Sequence, residues 1–239
     1  MRVIDFHSHI LPGVDDGSES VEMSRGMLAR MVDEGVDIAV ATPHYYGRHS
    51  TVEEFLERRE KAADRLRDSL LKDRMAMPDI LLGCEVAFRF GLEDDPDLEK
   101  LCIDGTRTLL LELPFGDWTD SEASAVQSIV LDRGLNVVLA HFERFPSFRK
   151  GSPVAARIAN LPLTLQVNAE DLRPLLSRGK VLDLFRRRNV PLLGSDAHNL
   201  TDRAPDLAEG RDLIRRKLGA SVLEASDRKA AELLGLQSE

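Results

Sequence analysis

The chain has 239 residues, enough for one large α/β domain with a substantial core. Apolar residues make up 43% and charged residues 31%, an ordinary globular composition that excludes disorder. The net charge of −9 argues against a nucleic-acid grip, because a phosphate backbone needs a basic face.

Short β-branched or Leu-rich runs bounded by Gly, Pro, Asn or polar turns predict strands over 2–6, 36–41, 80–85, 108–113, 136–140, 163–167 and 191–194. Such runs suit strands buried on both faces. Between them lie helix patterns. Residues 21–34 carry Met23, Met27 and Met31 at a helical spacing, a core-packing stripe. Thr51 with Glu54 is a capping box opening a charged helix that runs to about Lys72, and Thr119 with Glu122 opens the next helix. Ser152-Pro153 is a cap followed by proline at the first helical position. Further helices are expected over 173–188, 206–218 and 220–236. Strands alternating with helices predict a parallel β/α closure. No repeat, low-complexity segment or linker interrupts it, so 1–239 reads as one domain.

The opening MRVIDFHSHI has no apolar run long enough for a signal peptide or membrane helix, which makes the cytoplasm the expected compartment and stable membrane insertion unexpected. Two cysteines, Cys84 and Cys102, allow one disulfide but no disulfide framework.

Five of the six histidines follow predicted strands. His7 and His9 come after the first, His44 after the second, His141 after the fifth and His198 after the seventh; His49 is the sixth. Glu85 and Glu112 end the third and fourth strands, Asp196 follows the seventh, and Asp15 and Asp16 lie in the loop after the first. In a parallel barrel the carboxyl ends of the strands converge on one face. His7-Ser8-His9 places two imidazoles on the same side of an extended segment. Each residue alone reads as an ordinary satisfied histidine or acid. Their coincidence does not, because buried acids and histidines are costly unless paired or metal-bound. Mixed imidazole and carboxylate ligands without thiolate suit Mn, Fe, Zn or Mg rather than a closed structural zinc. So large a set implies more than one ion, an arrangement that activates water and clamps phosphoryl or acyl oxygens.

Arg144 follows His141 in HFER, and Arg203 follows His198 in SDAHNLTDRAP. A guanidinium fork matches phosphate oxygens, although surface salt bridges are common. A thiol phosphatase needs a cysteine with an arginine six positions on; Phe90 and Thr108 occupy those positions. Tyr45, Tyr46, Arg48 and His49 follow a histidine of the set and either line the entrance or form an ordinary exposed loop.

Together these residues resemble the polymerase-and-histidinol-phosphatase (PHP) superfamily. Within it they are most similar to the bacterial manganese-dependent protein-tyrosine phosphatases of capsule and exopolysaccharide systems, the CpsB/CapC/YwqE-like family. DFHSHILPGVDDGS (5–18), ATPHYYG (41–47), GCEV (83–86), LLLELP (109–114), AHFERF (140–145), LQVNAEDL (165–172) and GSDAHNLTDRAP (194–205) carry the resemblance across almost the whole chain. One departure is Phe142, where many relatives have proline.

The resemblance implies a distorted (βα)7 barrel of the PHP type with two or three divalent ions, manganese first among them. It implies one metal on His7, His9, Glu85 and Asp196. A second takes His44, His141 and a share of Glu85, and a third takes Asp15, Glu112 and His198. Asp15 is preferred to Asp16 because it stands six residues after His9. Four carboxylates against three divalent ions leave a site with a net charge of about +2, suited to a phosphate dianion. The implied reaction is attack on phosphotyrosine by a metal-bridging hydroxide, with Arg144 and Arg203 on the phosphoryl oxygens. The implied substrate is a phosphotyrosine protein, a bacterial tyrosine kinase. Two other readings remain: a small-molecule phosphatase such as a histidinol-phosphate phosphatase, and a non-catalytic metal-stabilised module.

Overall fold

The computed structural model describes residues 2–186 and 189–236. Nine strands are present among them: β1 (Ile4–Ser8), β2 (Ile38–Ala41), β3 (His44–Tyr45), β4 (Asp79–Leu82), β5 (Glu85–Ala87), β6 (Thr108–Glu112), β7 (Asn136–Leu139), β8 (Thr164–Asn168) and β9 (Leu192–Gly194). All pairings are parallel, in the orders β1-β2-β4 and β3-β5-β6-β7-β8-β9. Past the end of β9, Asp196 N–H donates to His7 O (2.8 Å) and His9 N–H to Ala197 O (2.9 Å), joining the two sheets. The pairs β2/β3 and β4/β5 are each one chain segment with a short break. The result is a ring of seven staves, the distorted (βα)7 barrel.

The break corrects the expected strand over 80–85. It ends at Leu82, and Glu85 opens a new strand instead of closing the old one, opposite His44 in register. The cause lies next door. Gly83 N–H still donates to Ala41 O (2.8 Å) and Glu85 N–H to Pro43 O (3.1 Å), but Pro43 has no N–H to return to Gly83 O, which accepts from Arg59 Nη1 (3.1 Å) instead. His44 therefore lies within a two-residue strand rather than in a loop after one.

A second irregularity aims the first histidines. Two residues of β1, Phe6 and His7, oppose one of β2, Val40, because Asp5 pairs with Ala39 and Ser8 with Ala41. Such a bulge resets the alternation of side chains. Ile4 and Phe6 pack in the barrel interior, and His7, which regular pleating would turn away, points inward as well.

The helices are α1 (Val21–Asp33), α2 (Val52–Asp73), α3 (Asp120–Leu131), α4 (Pro146–Arg149), α5 (Pro153–Ala159), α6 (Leu175–Phe185), α7 (Leu207–Leu218) and α8 (Ala220–Leu233). Both expected capping boxes form, at Thr51/Glu54 and Thr119/Glu122. Met27 and Met31 of α1 are fully buried, with Met23 at the margin of the same core. The helix expected over 173–188 begins at Leu175, after Pro174, and its last two expected residues lie outside the described chain. Ser152 precedes α5 but makes no side-chain cap bond. No described helix is long and apolar enough to cross a membrane.

One core lies between the strands and the helices. A second fills the amino end of the interior with Ile4, Phe6, Ile38, Val40, Leu110, Val138 and Leu192, against Ala230, Leu233 and Leu234 at the end of α8. Burying side chains of this size yields about 1.5–3 kcal/mol each. Thr108 Oγ1 donates to Leu233 O (2.7 Å), holding α8 across the opening.

Candidate metal centre

At the carboxyl end of the barrel the interior changes character. His7, His9, Glu85, Asp196 and His198 are buried to 3% exposure or less, with His44 and Glu112 partly buried beside them. Glu85 is the hub. Its Oε2 lies 3.1 Å from His7 Nε2, 3.3 Å from His9 Nε2 and 3.1 Å from His44 Nδ1, and its Oε1 lies 2.8 Å from His141 Nε2. His141 Nε2 is also 3.5 Å from Glu112 Oε1. On the other side, Asp196 Oδ1 is 3.6 Å from His7 Nε2 and 3.3 Å from His9 Nε2. Three overlapping sets bring ligand atoms within 4.8 Å of one another: His7, His9, Glu85 and Asp196; His9, Asp16, His44 and His198; and His44, Glu85 and Glu112.

The first set is the one expected. The other two differ from the expected grouping. Glu112 lies beside His141 and Glu85, not beside His198. Asp16, not Asp15, faces His44 (3.7 Å) and His198 (3.8 Å). Asp15 is turned away from these lone pairs. Its Oδ2 accepts from His9 Nδ1 at 2.6 Å and from the His44 backbone N–H at 2.8 Å, so it braces two histidines from behind. Carboxylates in that position fix the tautomer and orientation of a metal-bound imidazole. Spacing along the chain could not separate adjacent acids with opposite orientations.

Three more braces escaped sequence reasoning. Gln166 Oε1 accepts from His7 Nδ1 (3.0 Å) and from the His141 backbone N–H (2.7 Å). Gln166 Nε2 donates to Asn168 Oδ1 (2.9 Å), and Asn168 Nδ2 donates to Asp196 Oδ2 (2.9 Å). Asp5 accepts from the N–H and Oγ of Ser195, at 2.8 and 2.6 Å. The signal was present in LQVN, where polar residues alternate with apolar ones in a strand that is buried throughout. Close packing also dictates two glycines. A Cβ at Gly17 would lie 2.4 Å from His9 Cβ, and one at Gly194 would lie 2.8 Å from His7 Cβ. His141 (φ 29°) and Asp196 (φ 53°) adopt left-handed backbone conformations that β-carbons disfavour, a strain that tends to gather at functional sites.

The electrostatics are those of a cation site. Burial favours neutral Glu85 and Asp196, yet the neighbouring His7 charge holds both well below the usual carboxylate range. Burial disfavours a charged His141, but its bonds to Glu112 and Glu85 push it up to about 10. Burial and the charge of His9 push His198 down to about 3. Among the described residues His44 Nδ1, His141 Nδ1 and His198 Nε2 are buried nitrogens without a hydrogen-bond partner. Buried ionised carboxylates set among the imidazoles of five histidines, with His198 Nε2 left unpartnered, fit divalent ions held by mixed nitrogen and oxygen donors.

Both arginines converge here. Arg144 Nη1 (3.1 Å) and Arg203 Nη2 (2.8 Å) donate to Asp196 Oδ2, the oxygen away from His7 and His9. Each keeps about a third of its side chain exposed. A cleft of about 300 Å³ opens on the Asp16 and His44 side of the cluster, lined also by Tyr46, His49 and Arg58 among others. Cys84 and Cys102 are free and buried. Burial pushes the Cys84 thiol up and raises Cys102 to about 11, so neither is poised as a thiolate.

Residues 3–233 match the family model for capsular polysaccharide synthesis, CpsB/CapC. The chain is 28% identical over 233 residues to the tyrosine-protein phosphatase CpsB of Streptococcus pneumoniae, covering 91% of this chain and 92% of that one. It is 29% identical over 232 residues to the tyrosine-protein phosphatase YwqE of Bacillus subtilis, covering 92% and 87%. A crystal structure from work on YwqE and CpsB, described as unique metal-dependent tyrosine phosphatases, superposes with a TM-score of 0.86 at 25% identity, over 99% of this chain and 96% of that one. A Listeria monocytogenes protein provisionally described as a histidinol phosphatase shares the fold alone, with a TM-score of 0.53 at 15% identity over 84% of this chain and 97% of that one.

Proposed function

This chain belongs to the CpsB/CapC family of capsular polysaccharide synthesis, and on that premise we propose that it is a metal-dependent protein-tyrosine phosphatase, a phosphoric monoester hydrolase acting on phosphotyrosine. The observation that carries the reading is Glu85, a buried carboxylate within 3.3 Å of four histidines and shared by two of the three overlapping ligand sets. Two or three ions, manganese foremost, would be held by His7, His9, Glu85 and Asp196, by Glu85, Glu112 and His141, and by Asp16, His44 and His198. When bound, such ions supply Lewis acidity to phosphoryl oxygens and lower the pKa of water to near neutrality.

The rest of the chemistry belongs to the chain. Arg144 and Arg203 already share one oxygen of Asp196, and Arg144 Nε also lies 3.7 Å from Asp171, so both guanidinium groups are held over the cluster. A phosphate dianion offers them a better fork acceptor and would be oriented between them. Charge growing on its equatorial oxygens would then meet donors held in place beforehand. Asp15, Gln166 and Asn168 keep His7, His9 and Asp196 from reorienting as charge shifts. A phenolate leaves readily, with a pKa near 10, so little acid assistance is required. The family's capsule context favours a tyrosine kinase as the protein substrate, met in the cytoplasm.

The test is a side-by-side assay of a phosphotyrosine peptide and histidinol phosphate, with added manganese, with EDTA, and in the Cys84→Ser/Cys102→Ser double variant. Manganese-dependent hydrolysis of the peptide, lost in EDTA and retained in the double variant, is expected. Preference for histidinol phosphate would replace the substrate, and EDTA-resistant turnover would end the metal reading.

A further inference from the structure

Phe115 is 59% exposed, and its position is held firmly. It lies in the loop after β6, three residues beyond Glu112. Pro114 O accepts from Trp118 Nε1 (2.9 Å), and Gly116 O accepts from Ser147 Oγ (3.1 Å). Ser147 Oγ in turn accepts from the Trp118 backbone N–H (2.9 Å). Leu113 and Trp118 on either side are buried. The loop is thus braced on both sides of a phenylalanine that it leaves in the open.

One surface of that ring is occupied by the cluster. Its centroid lies 5.6 Å from His141, at 24° between the planes, and 5.0 Å from Phe145. Tyr46 provides the contrast on the other side, where it stacks on His44 at 5.0 Å and 24°. The Arg48 guanidinium also lies over the Tyr46 ring, at 5.8 Å, and His49 meets it edge-on. Tyr46 is therefore already packed within its own loop, whereas Phe115 meets only His141 and Phe145 among the described aromatic rings. Single exposed apolar residues are common and need no explanation. An exposed ring on a braced loop, stacked on a histidine of the cluster and packed against the Phe145 that follows Arg144, is a more specific arrangement.

We propose that Phe115 is a specificity-determining residue, the wall against which the phenyl ring of an aryl phosphate packs while its phosphoryl group lies between the cluster and Arg144. The inference deepens the phosphatase reading and rests on it. Offset or edge-to-face contact between two aromatic rings contributes beyond simple burial, by about 2- to 12-fold in affinity. An alkyl phosphate presents no ring and gains nothing from the wall. Selection for tyrosine over serine esters then comes from Phe115, while the metals and arginines treat both phosphoryl groups alike.

The test uses the manganese-loaded protein and two non-hydrolysable probes, phenylphosphonate and methylphosphonate, with dissociation constants measured for the wild type, Phe115→Ala and Phe115→Tyr. Phe115→Ala is expected to weaken phenylphosphonate by about 2- to 12-fold while methylphosphonate stays within about 2-fold, at unchanged metal content. Phe115→Tyr restores the preference. Equal weakening of both probes, or loss of metal, would make Phe115 a mere support for His141 and overturn the wall alone. An unchanged ratio would overturn it as well. If neither phosphonate binds the wild type, the phosphatase reading falls first, and the wall with it.

Discussion

Near their amino ends the strands fill the barrel with Ile4, Phe6, Leu110, Val138 and Leu192. A few residues later the same strands, or the turns that follow them, present His7, Glu112, His141 and Asp196. The first region is stabilised by what it removes from water, and it needs no ligand. The second places ionised acids and histidines out of water, where each costs several kcal/mol unless partnered. One end therefore holds the fold together by itself, whereas the other is stable only to the extent that charge is balanced, which is the physical condition of a metal site. The chain places the two within one interior, so the braced, apolar end can hold the expensive end in position.

The largest expected effect comes from Glu85→Gln. Removing the hub charge should lower turnover by at least about 1000-fold and deplete bound metal. The metal-free variant should melt below metal-free wild type, because the buried imidazoles lose the carboxylate that partners them and that they hold ionised. An unchanged melting temperature would mean that the apolar end alone sets the stability. In the same measurements Asp16→Asn should lose metal outright, whereas Asp15→Asn should lower metal affinity by about 10- to 100-fold, as expected for a brace. The reverse order would restore Asp15 as the ligand.

Next come Arg144→Ala and Arg203→Ala, each expected to lower turnover by about 100- to 1000-fold with metal content unchanged. Arg→Lys should be a poor substitute, since an ammonium cannot reproduce the fork. Near-wild-type turnover would reduce both to salt bridges with Asp196. The smallest effect on catalysis is expected from Leu110→Ala at the apolar end. It should cost about 2–5 kcal/mol in stability, read by denaturant unfolding, and leave turnover of the folded protein nearly unchanged. A matching loss of metal would show that the apolar end also tunes the site.

The sequence by itself determined the alternation of strands and helices, because apolar runs and capping residues such as Thr51/Glu54 and Thr119/Glu122 act locally. It also determined that histidines and acids gather at strand ends, since the parallel barrel brings those ends to one face. His7, His9, Glu85 and Asp196 were legible as members of one cluster for that reason, while their grouping on a single ion was implied by the family resemblance. Tertiary structure alone decided which acid points where. Asp15 and Asp16 are adjacent, and only the packing of His9 and of the His44 backbone against Asp15 turns one behind the cluster and the other into it. It also decided that Glu112 joins His141, because parallel neighbours β6 and β7 bring their ends side by side. The split of β4 from β5 depends on an interruption in the neighbouring strand, at Pro43. The bulge in β1 depends on a register with β2 that no run of residues within β1 encodes. His7 faces the cluster because of that register, a property of two strands together and not of either sequence.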